Sequence, residues 1–176
     1  MFERVVSYAY VETRIGRLLL AGDEASLHLL SFQSGSRVHH PRDGWRHDPD
    51  GFADVRRQLD EYFAGKRTTF TLPLYLGGTP FQNAVWTTLQ SIPYGATTTY
   101  RALADRIGRP AAIRAVGAAN GANPLPIIVP CHRVIGSDGS LTGFGGGIET
   151  KRFLLGHEGA LPEETAPADL FQVRAS

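Results

Sequence analysis

Residues 99–134 read TYRALADRIGRPAAIRAVGAANGANPLPIIVPCHRV, and three signals in them organise the rest of the chain. Thr97–Thr99 offer an N-cap for a short helix, YRALADRI, which Gly108 ends. Pro110 is suited to open a second helix, AAIRAVGAAN, and two short helices joined at Gly108-Arg109 match a helix-turn-helix. Ala111, Ala112, Ala115, Gly117, Ala118 and Ala119 leave that second helix almost without bulk, and Arg114 is its long cation. Such a helix can pack closely in a core or lie smoothly against a DNA groove, and this segment favours neither. The apolar run Leu125–Val129 is then expected to be a buried strand that Pro130 ends, delivering Cys131, His132 and Arg133 to its accessible tip. A free cysteine is most often a small core hydrophobe. Basic neighbours of the kind seen here lower a thiol pKa, so a reactive Cys131 is expected.

Upstream, Thr79 with Pro80 and Gln82 forms a capping box for a helix whose buried stripe is Phe81, Val85, Trp86 and Leu89. Gly77-Gly78 before it makes a plausible domain boundary. The first half alternates as three strands, VVSYAYVET, GRLLLAG and SLHLLSFQ. Ser34–Gly51 lacks apolar periodicity and is expected to be a surface loop with solvated histidines at 39, 40 and 47. Phe52, Val55, Leu59, Tyr62 and Phe63 recur at helical spacing up to Gly65, and residues 68–76 look extended. The expected fold is therefore α/β of the α+β kind. A small sheet-plus-helix domain (1–78) precedes a mostly helical domain (79–160) with the helix-turn-helix and the PCHRV segment, and a tail follows (161–176).

Composition limits the function. One cysteine in 176 residues excludes an internal disulfide and thiolate zinc, so no metal or other cofactor is expected. Charges near the N-terminus interrupt any signal core, and no apolar run reaches the roughly 18 residues of a membrane span, so a cytoplasmic protein without membrane contact is expected. Net charge is +1, which argues against nucleic-acid binding by bulk electrostatics. Residues 79–159 nevertheless hold seven basic against four acidic side chains.

PCHRV (130–134), ANPLPIIV before it and IGSDGSLTGFGGG after it resemble the O6-alkylguanine-DNA alkyltransferases. The likeness extends to FQNAVW (81–86), IPYGATTTY (92–100), RAVGAANGANP (114–124) and KRFLLGHEG (151–159), and so covers residues 79–159 almost without a break. It implies that Cys131 accepts an alkyl group, irreversibly and once per molecule, from O6 of a guanine flipped out of duplex DNA. It makes His132 the base acting through a water, Glu158 its orienting acid, Asn123 the brace of the active-site turn and Tyr100 a hydrogen-bond donor to the leaving base that also contacts the DNA backbone. Arg114 matches the residue that fills the vacated stack, with the helix-turn-helix in the minor groove. Arg101, Arg109 and Ser137 match phosphate contacts, and Val134, Phe144 and Gly145 match the substrate pocket. Phe144 departs from the tyrosine of many relatives and Gly145 from the serine of some, which implies a roomier pocket that tolerates larger alkyl groups or O4-alkylthymine. The implied partner is double-stranded alkylated DNA, bound by a protein that is a monomer in solution; cooperativity between molecules on DNA is left open. A helix-turn-helix regulator with a redox-sensing Cys131 and a Cys/His hydrolase are the other readings. Neither uses all of Asn123, Arg114 and Glu158.

Overall fold

A computed structural model of the chain describes residues 4–161, so the tail expectation lies almost wholly outside the described residues. Three antiparallel strands, β1 (Ser7–Thr13), β2 (Gly16–Gly22) and β3 (Leu27–Phe32), form where the sequence predicts strands, but β3 and most of β2 are buried on both faces and show no alternation of exposure. The expected loop 34–51 contributes a short fourth strand, β4 (Arg46–His47), which pairs parallel with Ser7 and Tyr8. Two residues are too few for a period to show, so this strand was invisible to pattern reading. The sheet order is β3-β2-β1-β4.

Helix α1 (Ala53–Phe63) lies against β1 and buries Val55, Leu59, Tyr62 and Phe63 of the predicted stripe, while Phe52 stands outside it as a partly buried N-cap residue at φ 61°. The free edge of β3 is covered. Leu27 bridges Leu74, and the amide of Leu30 donates to the carbonyl of Pro124 at 2.9 Å, tying the sheet to the segment that leads to Cys131. Covering an edge in this way removes a template for unwanted strand pairing.

The capping box of α2 (Pro80–Leu89) forms as read. The Gln82 amide donates to Thr79 Oγ1 at 3.2 Å and the Thr79 amide to Gln82 Oε1 at 2.9 Å. Trp86 is wholly buried and donates Nε1–H to the Ala119 carbonyl at 2.8 Å, fixing α2 on α4 (Ile113–Gly121). Thr98–Thr99 form β5, parallel to β6 (Val134–Ile135), and Thr99 then caps α3 (Tyr100–Arg106). Pro110 does not open α4. The helix begins three residues later, after a turn in which the Ala112 amide bonds the Arg109 carbonyl. Helix α5 (Ile148–His157) closes the chain onto the segment that holds Cys131. One apolar cluster runs from Val11, Leu18 and Leu20 through Leu59 to Trp86, Leu103, Val129 and Leu154, so the two halves share a core. Among the described residues no helix is long and apolar enough to cross a membrane.

Candidate active site

Leu125–Val129 is not a strand. Asn123 folds it into a turn, accepting the Leu125 amide on Oδ1 at 3.0 Å and donating Nδ2–H to the Val129 carbonyl at 2.8 Å. Ile127 sits at φ 74°, a left-handed conformation costly for a β-branched residue and tolerable only where the surroundings enforce it. Apolar composition marked the segment as buried, which it is, but burial does not distinguish a strand from a turn cradled by one amide side chain. Cys131 opens a 3-10 turn, Cys131–Arg133, and Asn120 of α4 reaches its carbonyl at 3.4 Å.

Behind Cys131 lies a buried charge network. His132 Nε2 is 2.8 Å from Glu158 Oε1. Arg133 grips the same carboxylate, Nε on Oε2 at 2.8 Å and Nη2 on Oε1 at 3.0 Å, and its Nη1 donates to the Ile92 carbonyl at 2.6 Å. Tyr62, from α1, donates its hydroxyl to Glu158 Oε1 at 2.7 Å. Glu158 occupies the C-cap of α5, where the helix dipole disfavours a negative charge, so the carboxylate depends on these donors. Burial alone would push its pKa up, yet His132 and Arg133 hold it well below the usual carboxylate range. An ionised carboxylate only accepts, so Nε2 carries the imidazole proton and Nδ1 is left with a lone pair. Nδ1 is buried and has no hydrogen-bond partner among the described residues. Burial pushes His132 down, outweighing the opposite pull of Glu158, which keeps the ring neutral and able to accept a proton.

The expected low thiol pKa is not what the fold produces at rest. Burial pushes the Cys131 thiol up, against the opposing pull of Asn123, the Lys151 ammonium and the Arg37 guanidinium. Lys151 is wholly buried on α5, donating to the carbonyls of Val134 at 2.6 Å and Thr142 at 3.0 Å, and burial lowers its pKa to about 8.

In front of Cys131 a small pocket, with an interior of about 30 Å³, is walled by Leu30, Phe32, Asn123, Pro126 and Phe144 together with Arg37 and His39 of the first half. Phe144 meets Phe32 edge-on at 5.4 Å. The amides of Ser36 and Arg37 donate to the Gly145 carbonyl at 3.0 and 3.3 Å, latching the two halves across the pocket mouth. On the neighbouring surface, α4 exposes Arg114, Ala115 and Ala118, and Arg101 and Arg109 are exposed beside it.

Residues 6–76 match the model of the 6-O-methylguanine DNA methyltransferase ribonuclease-like domain, and residues 80–160 that of the same family's DNA binding domain. The chain belongs to the 6-O-methylguanine-DNA methyltransferase family. It is 48% identical over 153 residues to the methylated-DNA–protein-cysteine methyltransferase of Methanosarcina acetivorans, covering 87% of this chain and 98% of that one. The Mycobacterium tuberculosis protein of the same name is 48% identical over 167 residues, covering 94% and 98%. The M. tuberculosis OGT solved in complex with DNA superposes with a TM-score of 0.84 at 49% identity, over 94% of this chain and 98% of that one. An O6-methylguanine-DNA methyltransferase from Pyrococcus kodakaraensis gives 0.65 at 25% identity, over 86% and 99%. Membership makes the chain a DNA-repair methyltransferase with a cysteine as acceptor.

The family's expected constellation is brought together in part. Cys131, Asn123, Phe144 and Gly145 line one pocket, and His132 and Glu158 form the network behind it. Tyr100 is half-buried, with its hydroxyl donating to the Thr142 carbonyl at 3.3 Å and its ring 6.0 Å from Lys151 Nζ. Arg101, Arg109, Arg114 and Ser137 are all exposed. Val134 is not on the pocket wall; it is wholly buried, pairing with Thr98 and accepting from Lys151. The expected room beside Gly145 is also missing, because a Cβ there would meet Cβ of Arg37 at 3.2 Å. His39, expected to be solvated, lines the pocket, and its amide donates to Ser31 Oγ at 2.9 Å. Tyr62 and Lys151 escaped the sequence reading. Lys151 shares a helix face with Leu154, Leu155 and Glu158, a spacing that marks it as inward-facing.

Proposed function

We propose that Cys131 is the acceptor in direct reversal of O6-alkylguanine in duplex DNA, with residues 79–160 as the DNA-binding and alkyl-transfer domain and 1–78 as its N-terminal partner domain. The observation that carries this reading is the line of groups behind the thiol: an unpartnered imidazole nitrogen on His132, then Glu158, then Arg133. This is the nucleophile, base and orienter arrangement of covalent catalysis. The sulfur forms its bond to the alkyl carbon as that carbon's bond to O6 breaks. The thiol proton passes to Nδ1 of His132 through a water; O6 leaves as the keto oxygen of guanine, whose negative charge Tyr100 stabilises by donating a hydrogen bond to the base until a ring nitrogen takes up a proton from solvent. The product is a thioether, which water does not cleave, so each molecule acts once.

The target atom lies inside the duplex, so the base is flipped into the pocket at a cost of a few kcal/mol. Arg114 fills the gap, while the low relief of Ala115 and Ala118 lets α4 approach the minor groove. Arg101, Arg109 and Ser137 hold phosphates, and the protein acts as a monomer in the cytoplasm. With so few phosphate contacts, affinity is modest and salt-sensitive.

The test is to incubate the protein with a duplex containing O6-methylguanine and weigh it intact. One methyl group on the Cys131 peptide, stopping at one per molecule and absent from Cys131→Ser, is expected. An unmodified wild-type protein overturns the reading. Turnover of a model ester instead would mark a hydrolase, and duplex binding without transfer a regulator.

A further inference from the structure

We propose that Tyr62 is a positioning residue for alkyl transfer: from the N-terminal half its hydroxyl occupies the same Glu158 oxygen that His132 uses, and so sets how much of the carboxylate's charge the imidazole feels. This rests on the reading of Cys131, His132 and Glu158 given above.

Three donors converge on Glu158 Oε1: Tyr62 at 2.7 Å, His132 Nε2 at 2.8 Å and Arg133 Nη2 at 3.0 Å. Oε2 accepts from Arg133 Nε at 2.8 Å. A carboxylate oxygen offers about two lone-pair directions, so three donors on one oxygen compete. Arg133 already fixes the carboxylate plane by its two-point grip, which leaves the phenol free to tune its charge. A fully buried hydroxyl is costly unless it is used, and phenylalanine, as at the next position, Phe63, would fill the same space without that cost. The ring is held by Phe63, Phe70, Tyr94 and His157, with centroids 5.1, 5.5, 6.2 and 5.1 Å away, and His157 Nε2 is 2.7 Å from the Tyr62 carbonyl. Burial and the Glu158 charge keep the phenol protonated far above working pH, so it is a permanent donor.

Removing a neutral donor concentrates the carboxylate's charge on His132 and favours the imidazolium. The other charged or titratable groups around Tyr62 and His132 remain: Lys151 and His157 from α5, Glu158 at its C-cap, Arg133 and Cys131 from the 3-10 turn, and Tyr94 from the turn after α2. In Tyr62→Phe, then, the acid limb of the single-turnover rate against pH, which titrates the Cys131–His132 pair, moves up by roughly half a unit to one unit. The plateau rate stays within roughly threefold, since the base remains in place. Phe70→Leu, which loosens the packing around the ring but spares the hydroxyl, lowers the melting temperature and leaves the limb where it was. Incorporating 3-fluorotyrosine at position 62, a stronger donor of nearly the same size, moves the limb down and serves also if Tyr62→Phe folds poorly. A limb that moves with neither change at position 62, or that moves equally in Phe70→Leu, overturns the proposal. A wild-type protein that leaves Cys131 unmethylated overturns the functional reading instead, so the two failures are distinguishable.

Discussion

The two sides of Cys131 are built on opposite principles. Behind it, Glu158 is held by three side chains from two separate stretches of chain, all buried and all within 3.0 Å of the carboxylate. In front, the wall is a glycine-rich loop around Phe144, and the first half is fastened to it by the two amide bonds from Ser36 and Arg37 to the Gly145 carbonyl. A paired buried charge has few alternative arrangements, because breaking it strands its partner; a glycine loop has many. The contrast matches what each side has to do. On the proposed mechanism the back holds an imidazole in one tautomer, whereas the front, with an interior of about 30 Å³, has to make room for a base.

Glu158→Gln tests the back wall hardest. It leaves the Arg133 guanidinium buried without a counter-charge, a loss of about 3–5 kcal/mol of stability for a broken buried pair. Alkyl transfer falls roughly 100-fold or more, because the imidazole loses both its orienter and the charge that supports its protonation. The stability loss has a definite pH signature. The folded carboxyl titrates well below its ordinary value of 4.5, so its contribution is complete above that pH and is lost as pH falls toward the folded value. The gap between wild type and variant in urea midpoint therefore narrows below about pH 4.5. A gap that is small at pH 7, or that widens in acid, would show that the network is not the rigid side.

Arg114→Ala probes the opposite side and leaves the network untouched. Arg114 is exposed and no described contact of the fold depends on it, so stability stays within about 0.5 kcal/mol. Transfer from duplex falls roughly 10- to 100-fold, since flipping costs a few kcal/mol that the arginine partly offsets. Reaction with free O6-alkylguanine, which needs no flipping, is unchanged. Equal losses on both substrates would remove the stack-filling role.

The same contrast governs what the sequence made legible. The β1–β3 meander, α1, α2 and its capping box could be read because each rests on local periodicity or local capping, and Cys131 and His132 stand together in PCHRV; Glu158, 26 residues from His132, entered only through the likeness of KRFLLGHEG to a known family. The Leu125–Val129 turn could not, since its shape comes from Asn123 bonding across it and not from its own apolar residues. Tyr62 lies 96 residues from Glu158, and a tyrosine in an apolar stripe does not announce where its hydroxyl goes. Lys151 was readable only after Glu158 had fixed which face of α5 points inward. The latch at Gly145 is made entirely of backbone, and its one mark in the sequence is a glycine at position 35, which does not say what it approaches.

That latch gives the smallest expected effect and the sharpest test of the front wall. Gly35 adopts φ 98°, and a Cβ there would approach the Gly145 carbonyl oxygen to 2.3 Å and the Gly146 backbone to 3.0 Å. Gly35→Ala therefore cannot keep both its own backbone and the two adjacent amide bonds. Because both partners are loops, the strain is relieved by letting them separate, and the net cost is about 1–2 kcal/mol, a modest fall in melting temperature. Among the described residues the back network has no hydrogen bond to residues 34–37, and Arg37 is the lesser of the two charges acting on Cys131, so the rate–pH profile of methyl transfer keeps its shape and moves by no more than a few tenths of a pH unit. A loosened front wall should matter more as the alkyl group grows, raising benzyl transfer relative to methyl by a few-fold. If Gly35→Ala shifted the pH profile, or slowed both groups alike, the two sides of Cys131 would be mechanically one, and the division between a fixed back and an adaptable front would fail.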